Sequence, residues 1–158
     1  MINFIHIWKK QIPDDICDQV IEIFEDVTEK NPAIIMDGRR SSKSSNIMRE
    51  DYSISLDKLD VYDDIYPNRK RICDLIYERL WKCYSEYTYA YGQLAVPDSD
   101  VAHTCSELKV QKTMPHGGFH VWHYEQAGST RNMSRELVWT VYLNTMPPNE
   151  AETEFLYL

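Results

Sequence analysis

A change in hydrophobic period near residue 107 is the feature that most constrains the fold. Before it, the segments 13–30 and 67–90 each carry a stripe of apolar residues at helical spacing. The stripes are Ile16, Val20, Ile23, Phe24 and Val27 in the first segment, and Ile72, Leu75, Ile76, Leu80, Cys83, Tyr84 and Tyr87 in the second. After it, four runs alternate apolar and polar residues as half-buried strands do, at 107–113, 118–125, 135–144 and 152–158. Helices followed by strands predict an α+β fold, with the N-terminal helices packed on an antiparallel sheet or jelly roll.

Shorter patterns divide the N-terminal part of the chain. Alternating runs at 4–10 and 51–56 predict two short strands among the helices. The intervening stretch 31–50 is rich in Asn, Gly, Ser and Arg and predicts a loop. A length of 158 residues favours a single domain over residues 1–158.

Charge and cysteine usage exclude several classes of function. The chain has 25 acidic and 17 basic residues, a net charge of -8, which disfavours a nucleic-acid or anionic-membrane partner. It has no apolar run near the ~20 residues of a membrane span and no signal peptide, so we expect a soluble, cytoplasmic protein with no membrane partner. Reduced, mostly buried thiols are expected because no CxxC pair occurs among Cys17, Cys73, Cys83 and Cys105.

The stretch HGGFHVWHYE, residues 116–125, holds three of the five histidines. In a strand, residues i and i+2 share a face, so His123 and Glu125 would present a nitrogen and an oxygen to one point, as a chelating pair requires. His120 would face the opposite side, and His116 lies in a Pro/Gly turn. Two histidines and one carboxylate form the facial triad of non-haem Fe(II) oxygenases, so a third ligand, a histidine, would come from a distant strand.

Two other interpretations of this stretch stay open. The histidines could be hydrogen-bonded structural residues of an aromatic strand. Trp122 alternates away from His123 and Glu125, and we expect it to pack. Alternatively, a zinc site could be built from His116, His120 and His123.

The order of motifs adds a resemblance to a known family. Residues 108–157 resemble the first half of the double-stranded β-helix of 2-oxoglutarate- and Fe(II)-dependent oxygenases of the prolyl 4-hydroxylase type. The strand LKVQKT leads through a Pro/Gly turn into an HxD/E strand, followed by VWTVYLN and EAETEF. The last motif is similar to the family's GGxTxF, with Glu150 and Ala151 in place of the glycines. The helical segments before it resemble the family's support region, so the resemblance implies 1–106 as a helical support with two short strands and 107–158 as the first half of the jelly roll.

This resemblance implies roles for five residues. His123 and Glu125 would be metal ligands for Fe(II), with Glu125 replacing the commoner aspartate. Tyr142 and Thr140, two residues apart on one face, would lie near the carboxylate of the cofactor 2-oxoglutarate, although a core aromatic is the alternative for Tyr142. Arg135 would contact substrate at the mouth of its strand, or would be a solvated strand end.

The activity implied is that of an oxidoreductase, a dioxygenase that couples oxidation of 2-oxoglutarate by O2 to hydroxylation of a peptidyl proline or another substrate, peptide or small molecule. Ascorbate as a further cofactor and a homodimer are also compatible with it. The family pattern requires a distal histidine and an Arg or Lys, yet no histidine follows His123. We therefore expect the natural chain to continue past Leu158. A non-catalytic jelly-roll binding or assembly module, or a degenerate oxygenase relative, remains the alternative.

Overall fold

The computed structural model of the chain describes residues 4–38, 48–94, 103–125, 135–148 and 150–155. These residues form two long helices and five short strands, with 3-10 turns between them. In chain order the elements are α1 (Asp14–Lys30), β1 (Met36–Asp37), β2 (Arg49–Glu50), β3 (Tyr52–Ser55), α2 (Arg69–Ala90), β4 (Lys109–Lys112) and β5 (Gly118–Phe119). The predicted α+β class is confirmed, and the described strands form small antiparallel sheets without a closed barrel.

Helix α1 forms where its apolar spacing predicts it. Pro13 precedes the helix in an extended conformation, and Asp14 and Asp15 lie in the first turn, where carboxylates interact favourably with the helix dipole. The helix ends at Lys30, and the Asn31 N–H still donates to the Val27 carbonyl at 2.9 Å. The buried face contains every apolar position of the predicted stripe: Ile16, Val20, Ile23, Phe24 and Val27, together with Cys17.

Helix α2 buries only the first part of its predicted stripe. Ile72 and Ile76 of the stripe are buried, as is Cys73 beside them, whereas the other stripe residues are half-buried: Leu75, Leu80, Cys83, Tyr84 and Tyr87. All four cysteines are free thiols, as expected, although only Cys17 and Cys73 are buried. Burial raises the pKa of the Cys73 thiol to about 11. None of the helices in the described ranges is long and apolar enough to cross a membrane.

The chain divides into two compact units. The first comprises Met1–Ile35 and Ile54–Val110, and the second comprises Met36–Ser53 and Gln111–Leu158. All buried apolar residues found in the described ranges belong to the first unit. Its core is formed by the buried faces of the two helices together with Ile12, Ile54, Leu56, Leu59 and Leu108.

A polar network holds the chain where it enters β4 in the first unit. The Leu108 N–H donates to Asp57 at 3.1 Å, and the Tyr77 hydroxyl donates to the same carboxylate at 3.1 Å. Glu107 accepts hydrogen bonds from Lys58 and Ser55, both at 2.9 Å. The hydrogen bond from Lys58, followed by that from Ser55, lowers the pKa of the Glu107 carboxyl against the opposing effect of its partial burial.

The second unit is built from short antiparallel pairings. β1 pairs with β3 in the register Met36 to Ser53, and β2 pairs with β5 in the register Arg49 to Phe119 and Glu50 to Gly118. The strand order in the three-stranded sheet is β1-β3-β4, and this unit contains β3 up to Ser53 and β4 from Gln111. Ser53, in the pairing of β1 with β3, and Asp51, just before β3, are buried polar residues. The Gly38 N–H donates to the Asp51 carbonyl at 2.9 Å.

Several predicted strands are wrong. The run at 118–125 is a strand only at Gly118–Phe119, and residues 135–144 and 152–155 have no strand ladder; residues 156–158 lie outside the described ranges. Alternation still governs burial at 135–144, where Leu137, Trp139, Val141 and Leu143 are half-buried between exposed neighbours. A strand needs a hydrogen-bonding partner as well as an apolar face, and alternation predicts only the face.

The N-terminal half of the chain shows the same limit. Residues 4–10 are not a strand; the segment instead contacts α2, where Trp8 Nε1 donates to Glu86 at 2.7 Å and the Tyr87 hydroxyl donates to the Phe4 carbonyl at 2.7 Å. The predicted loop 31–50 contains β1 and β2, although its residues 39–47 lie outside the described ranges. The strand expected at 51–56 is confirmed as β3.

Candidate functional site

His123 and Glu125 lie together at the surface of the second unit. The His123 Nε2 atom is 3.3 Å from Glu125 Oε1, and the two side chains are 42% and 43% exposed. The other imidazole nitrogen, Nδ1, lies 3.3 Å from the Val121 carbonyl. The two residues are not in a strand, so their approach results from the irregular backbone of residues 120–125 and not from strand parity. One nitrogen and one oxygen donor nevertheless face each other in an open position.

Arg135 completes this group through the second carboxylate oxygen. Its Nη1 atom donates to Glu125 Oε2 at 2.9 Å, and the guanidinium is 40% exposed. Glu125 therefore accepts contacts from His123 on one oxygen and from Arg135 on the other. Any cation that binds Glu125 through both oxygens has to displace Arg135.

The remaining histidines of the 116–125 stretch are directed elsewhere. His120 Nε2 lies 3.4 Å from Glu50 Oε2, and the His120 N–H donates to the Met48 carbonyl at 2.8 Å. His116 occupies a turn, as expected. The zinc site of His116, His120 and His123 is wrong, because no group of three or more metal-ligating His, Cys, Asp or Glu residues occurs in the described part of the chain.

The turn that carries His116 also sets the start of β5. The Gly117 N–H donates to the Met114 carbonyl at 2.8 Å, and His116 has φ 65° after Pro115, as in a type II turn. A Cβ atom on Gly117 would lie 2.7 Å from the Glu50 carbonyl oxygen and 3.0 Å from the Met114 carbonyl oxygen. Only glycine fits where this turn passes so close to the backbone of β2.

The predicted cofactor contacts Tyr142 and Thr140 lie on the exposed side of the alternating segment 135–144. Tyr142 is 63% exposed, so the alternative of a core aromatic is wrong. Its hydroxyl forms a short hydrogen bond with Thr153 Oγ1. The segments VWTVYLN and EAETEF are therefore in contact through one side-chain pair.

The His123 ring is stacked on that of Phe119, a contact that the sequence did not predict. The Phe119 ring lies 3.7 Å from the His123 ring, centroid to centroid, with planes 18° apart. The Arg49 guanidinium lies over Phe119, 5.8 Å from its centroid. No local pattern could have paired Arg49 with Phe119, because the two residues are distant in sequence and meet only through the register of β2 with β5. Trp122, expected to pack, is instead 59% exposed.

Comparison with known proteins does not identify the chain. No family model matches it, and searches of curated proteins and of solved structures return no match.

Proposed function

We propose that this chain contributes His123 and Glu125 to the metal site of an Fe(II)- and 2-oxoglutarate-dependent dioxygenase. The observation that carries the proposal is the 3.3 Å separation between His123 Nε2 and Glu125 Oε1. Nitrogen and oxygen donors bind first-row divalent metals at about 2.1 Å, so two donors in adjacent coordination positions lie about 3 Å apart. The pair therefore fits two adjacent positions of one metal ion with little movement.

The environment of the pair suits a metal that also binds small molecules. Both side chains are about two-fifths exposed, which leaves room for cosubstrate and O2 on the solvent side. When bound, Fe(II) with 2-oxoglutarate supplies the oxidising chemistry that hydroxylates a C–H bond. The proposal requires a third ligand from outside the described residues, since those residues contain no group of three donors. Glu125, in place of the commoner aspartate, keeps a carboxylate at the second position.

Two features of the following segments support the resemblance to this family. The hydrogen bond between Tyr142 and Thr153 joins two of the motifs on which the resemblance rests. Ala151, which stands where the family motif has its second glycine, has φ 54°. A left-handed φ is glycine's ordinary conformation and a strained one for alanine, so this backbone matches the motif better than the side chain does.

On this proposal the alternating segments of the second unit belong to a jelly roll, and the protein acts in the cytoplasm on a peptide, prolyl or otherwise, or on a small molecule. The acidic balance of the chain disfavours a nucleic-acid substrate. Ascorbate dependence and a homodimer are part of the same proposal.

Calorimetric titration of the full natural chain with Mn(II), a redox-stable substitute for Fe(II), tests the proposed ligands. We expect one site, lost in His123→Ala and in Glu125→Gln. His120→Ala is the matched control, because His120 is an equally exposed histidine of the same stretch that faces Glu50. Binding that survives both ligand substitutions, or that is lost equally in His120→Ala, would contradict the proposal.

A non-catalytic module is the second candidate, and one contact favours it. Arg135 donates to Glu125 at 2.9 Å while His123 faces the other oxygen, so the three side chains form a network that is complete without metal. If this network is only structural, the wild-type protein binds no Mn(II). Glu125→Gln then shifts the urea unfolding midpoint, and added Mn(II) changes the midpoint of neither protein.

A further inference from the structure

A second set of contacts, lying behind the proposed ligand pair, determines how His123 is held. The His123 side chain is 42% exposed, so burial does not fix its orientation. Its ring is instead stacked on Phe119 at 3.7 Å with an 18° angle between the planes. Stacking restricts the imidazole to one plane, and this is the plane in which Nε2 is directed to Glu125 and Nδ1 to the Val121 carbonyl.

Phe119 is itself held from the opposite strand. It is directly opposite Arg49 in the pairing of β2 with β5, and the Arg49 guanidinium lies 5.8 Å from the centroid of its ring. At this distance a guanidinium is attracted to the ring by a cation–π interaction. Phe119 is 45% exposed, so this contact and the strand pairing supply restraint that burial does not.

Arg49 is anchored by a buried carboxylate. Its Nη2 atom donates to Asp51 Oδ1 at 2.8 Å, and its Nε atom forms a second, shorter hydrogen bond with Asp51 Oδ2. Asp51 is only 3% exposed. Gln111 adds a third contact, accepting from Arg49 Nη2 at 3.1 Å. A guanidinium held by two parallel bonds to a buried carboxylate has little freedom to rotate.

We propose that Asp51, Arg49 and Phe119 form a positioning chain that orients the His123 imidazole for metal binding. The three residues do not touch the metal in this proposal; they act through His123. The consequence for metal affinity rests on the proposed function, whereas the orientation of the ring in the metal-free protein does not. Residues that orient a metal ligand from outside the coordination sphere commonly change metal affinity by about 10–100-fold when they are replaced.

Proton NMR of the metal-free protein tests the stack without any metal. A ring stacked on Phe119 feels its ring current, so the carbon-bound protons of His123 should resonate upfield of those of His120. We expect this difference to disappear in Phe119→Leu and to persist in Phe119→Tyr, which keeps the aromatic face. His123 and His120 resonances without such a difference in the wild-type protein would overturn the inference.

Mn(II) titration of the same variants tests the consequence for binding. We expect Phe119→Leu to weaken Mn(II) binding by about ten-fold and Arg49→Gln to weaken it by less. Phe119→Tyr, which keeps the aromatic ring, should bind Mn(II) as the wild type does. Trp122→Leu is the control, because Trp122 is an exposed aromatic of the same segment and should leave affinity unchanged. Wild-type binding with unchanged affinity in Phe119→Leu would refute the positioning role. If the wild type binds no Mn(II), the proposed function fails, and the NMR comparison still decides whether the stack exists.

Discussion

Replacing Gly117 by alanine tests the close approach between the 114–117 turn and β2. The new Cβ atom would lie 2.7 Å from the Glu50 carbonyl oxygen and 3.0 Å from that of Met114. Both neighbours are backbone atoms, so relief requires the turn or β2 to move by several tenths of an ångström. Overpacking of this kind costs about 1–3 kcal/mol. The same substitution also reduces the conformational entropy of the unfolded chain. This stabilises the folded state by about 0.4–1 kcal/mol and offsets part of the cost.

Gly92→Ala is the matched control. Among the residues that the structure describes, and apart from the chain neighbours of Gly92, no atom lies within 4 Å of a Cβ added at Gly92. Only the effect on the unfolded chain remains, so the variant should be neutral or slightly stabilised. Urea unfolding gives the free energy of unfolding of each variant. We expect Gly117→Ala to be less stable than Gly92→Ala by about 1–3 kcal/mol, which is the cost of the steric clash. Equal stability of the two variants would refute the close approach and the β2–β5 register on which it depends.

Three further substitutions test separate parts of the molecule. Ile72→Ala in α2 removes a side chain that is 1% exposed, and urea unfolding should show a loss of about 2–5 kcal/mol; a loss no larger than that of an exposed substitution would contradict the core. Glu107→Gln should make the free energy of unfolding depend less on pH below about pH 5. A carboxyl whose pKa is lowered by folding stabilises the folded state above its unfolded pKa, and this stability is lost as the pH falls through the folded pKa. An unfolding free energy that falls with acidification as steeply in the variant as in the wild type would be the contrary result. Arg135→Gln frees one oxygen of Glu125 and should tighten Mn(II) binding by up to about five-fold, the equivalent of one exposed ion pair; weaker binding would mean that Arg135 assists the metal.

The helices could be predicted because their information is local. The apolar stripe of α1 lies within one segment, and every predicted position in it is buried. The strands could be predicted only in part, because a ladder depends on a partner that alternation does not specify. Residues 135–144 show this directly, since their burial alternates as predicted although they have no strand pairing.

The candidate site divides in the same way. Strand parity predicted that His123 and Glu125 approach each other, and they do, but through irregular backbone and not through a strand. The contacts of His120 with Glu50 and of Phe119 with Arg49 depend on the pairing of β2 with β5, which brings together segments that are distant in the chain. Nothing in either segment alone indicates the other.

The most direct test of the proposed function is anaerobic titration of the full natural chain with Fe(II) and 2-oxoglutarate, followed by visible absorption. Chelation of Fe(II) by 2-oxoglutarate in a protein site produces a charge-transfer band that needs all three components. We predict this band for the wild-type protein and for His120→Ala, and its loss in His123→Ala and Glu125→Gln. A wild-type protein that produces no band under saturating Fe(II) and 2-oxoglutarate would contradict the assignment of His123 and Glu125 as iron ligands.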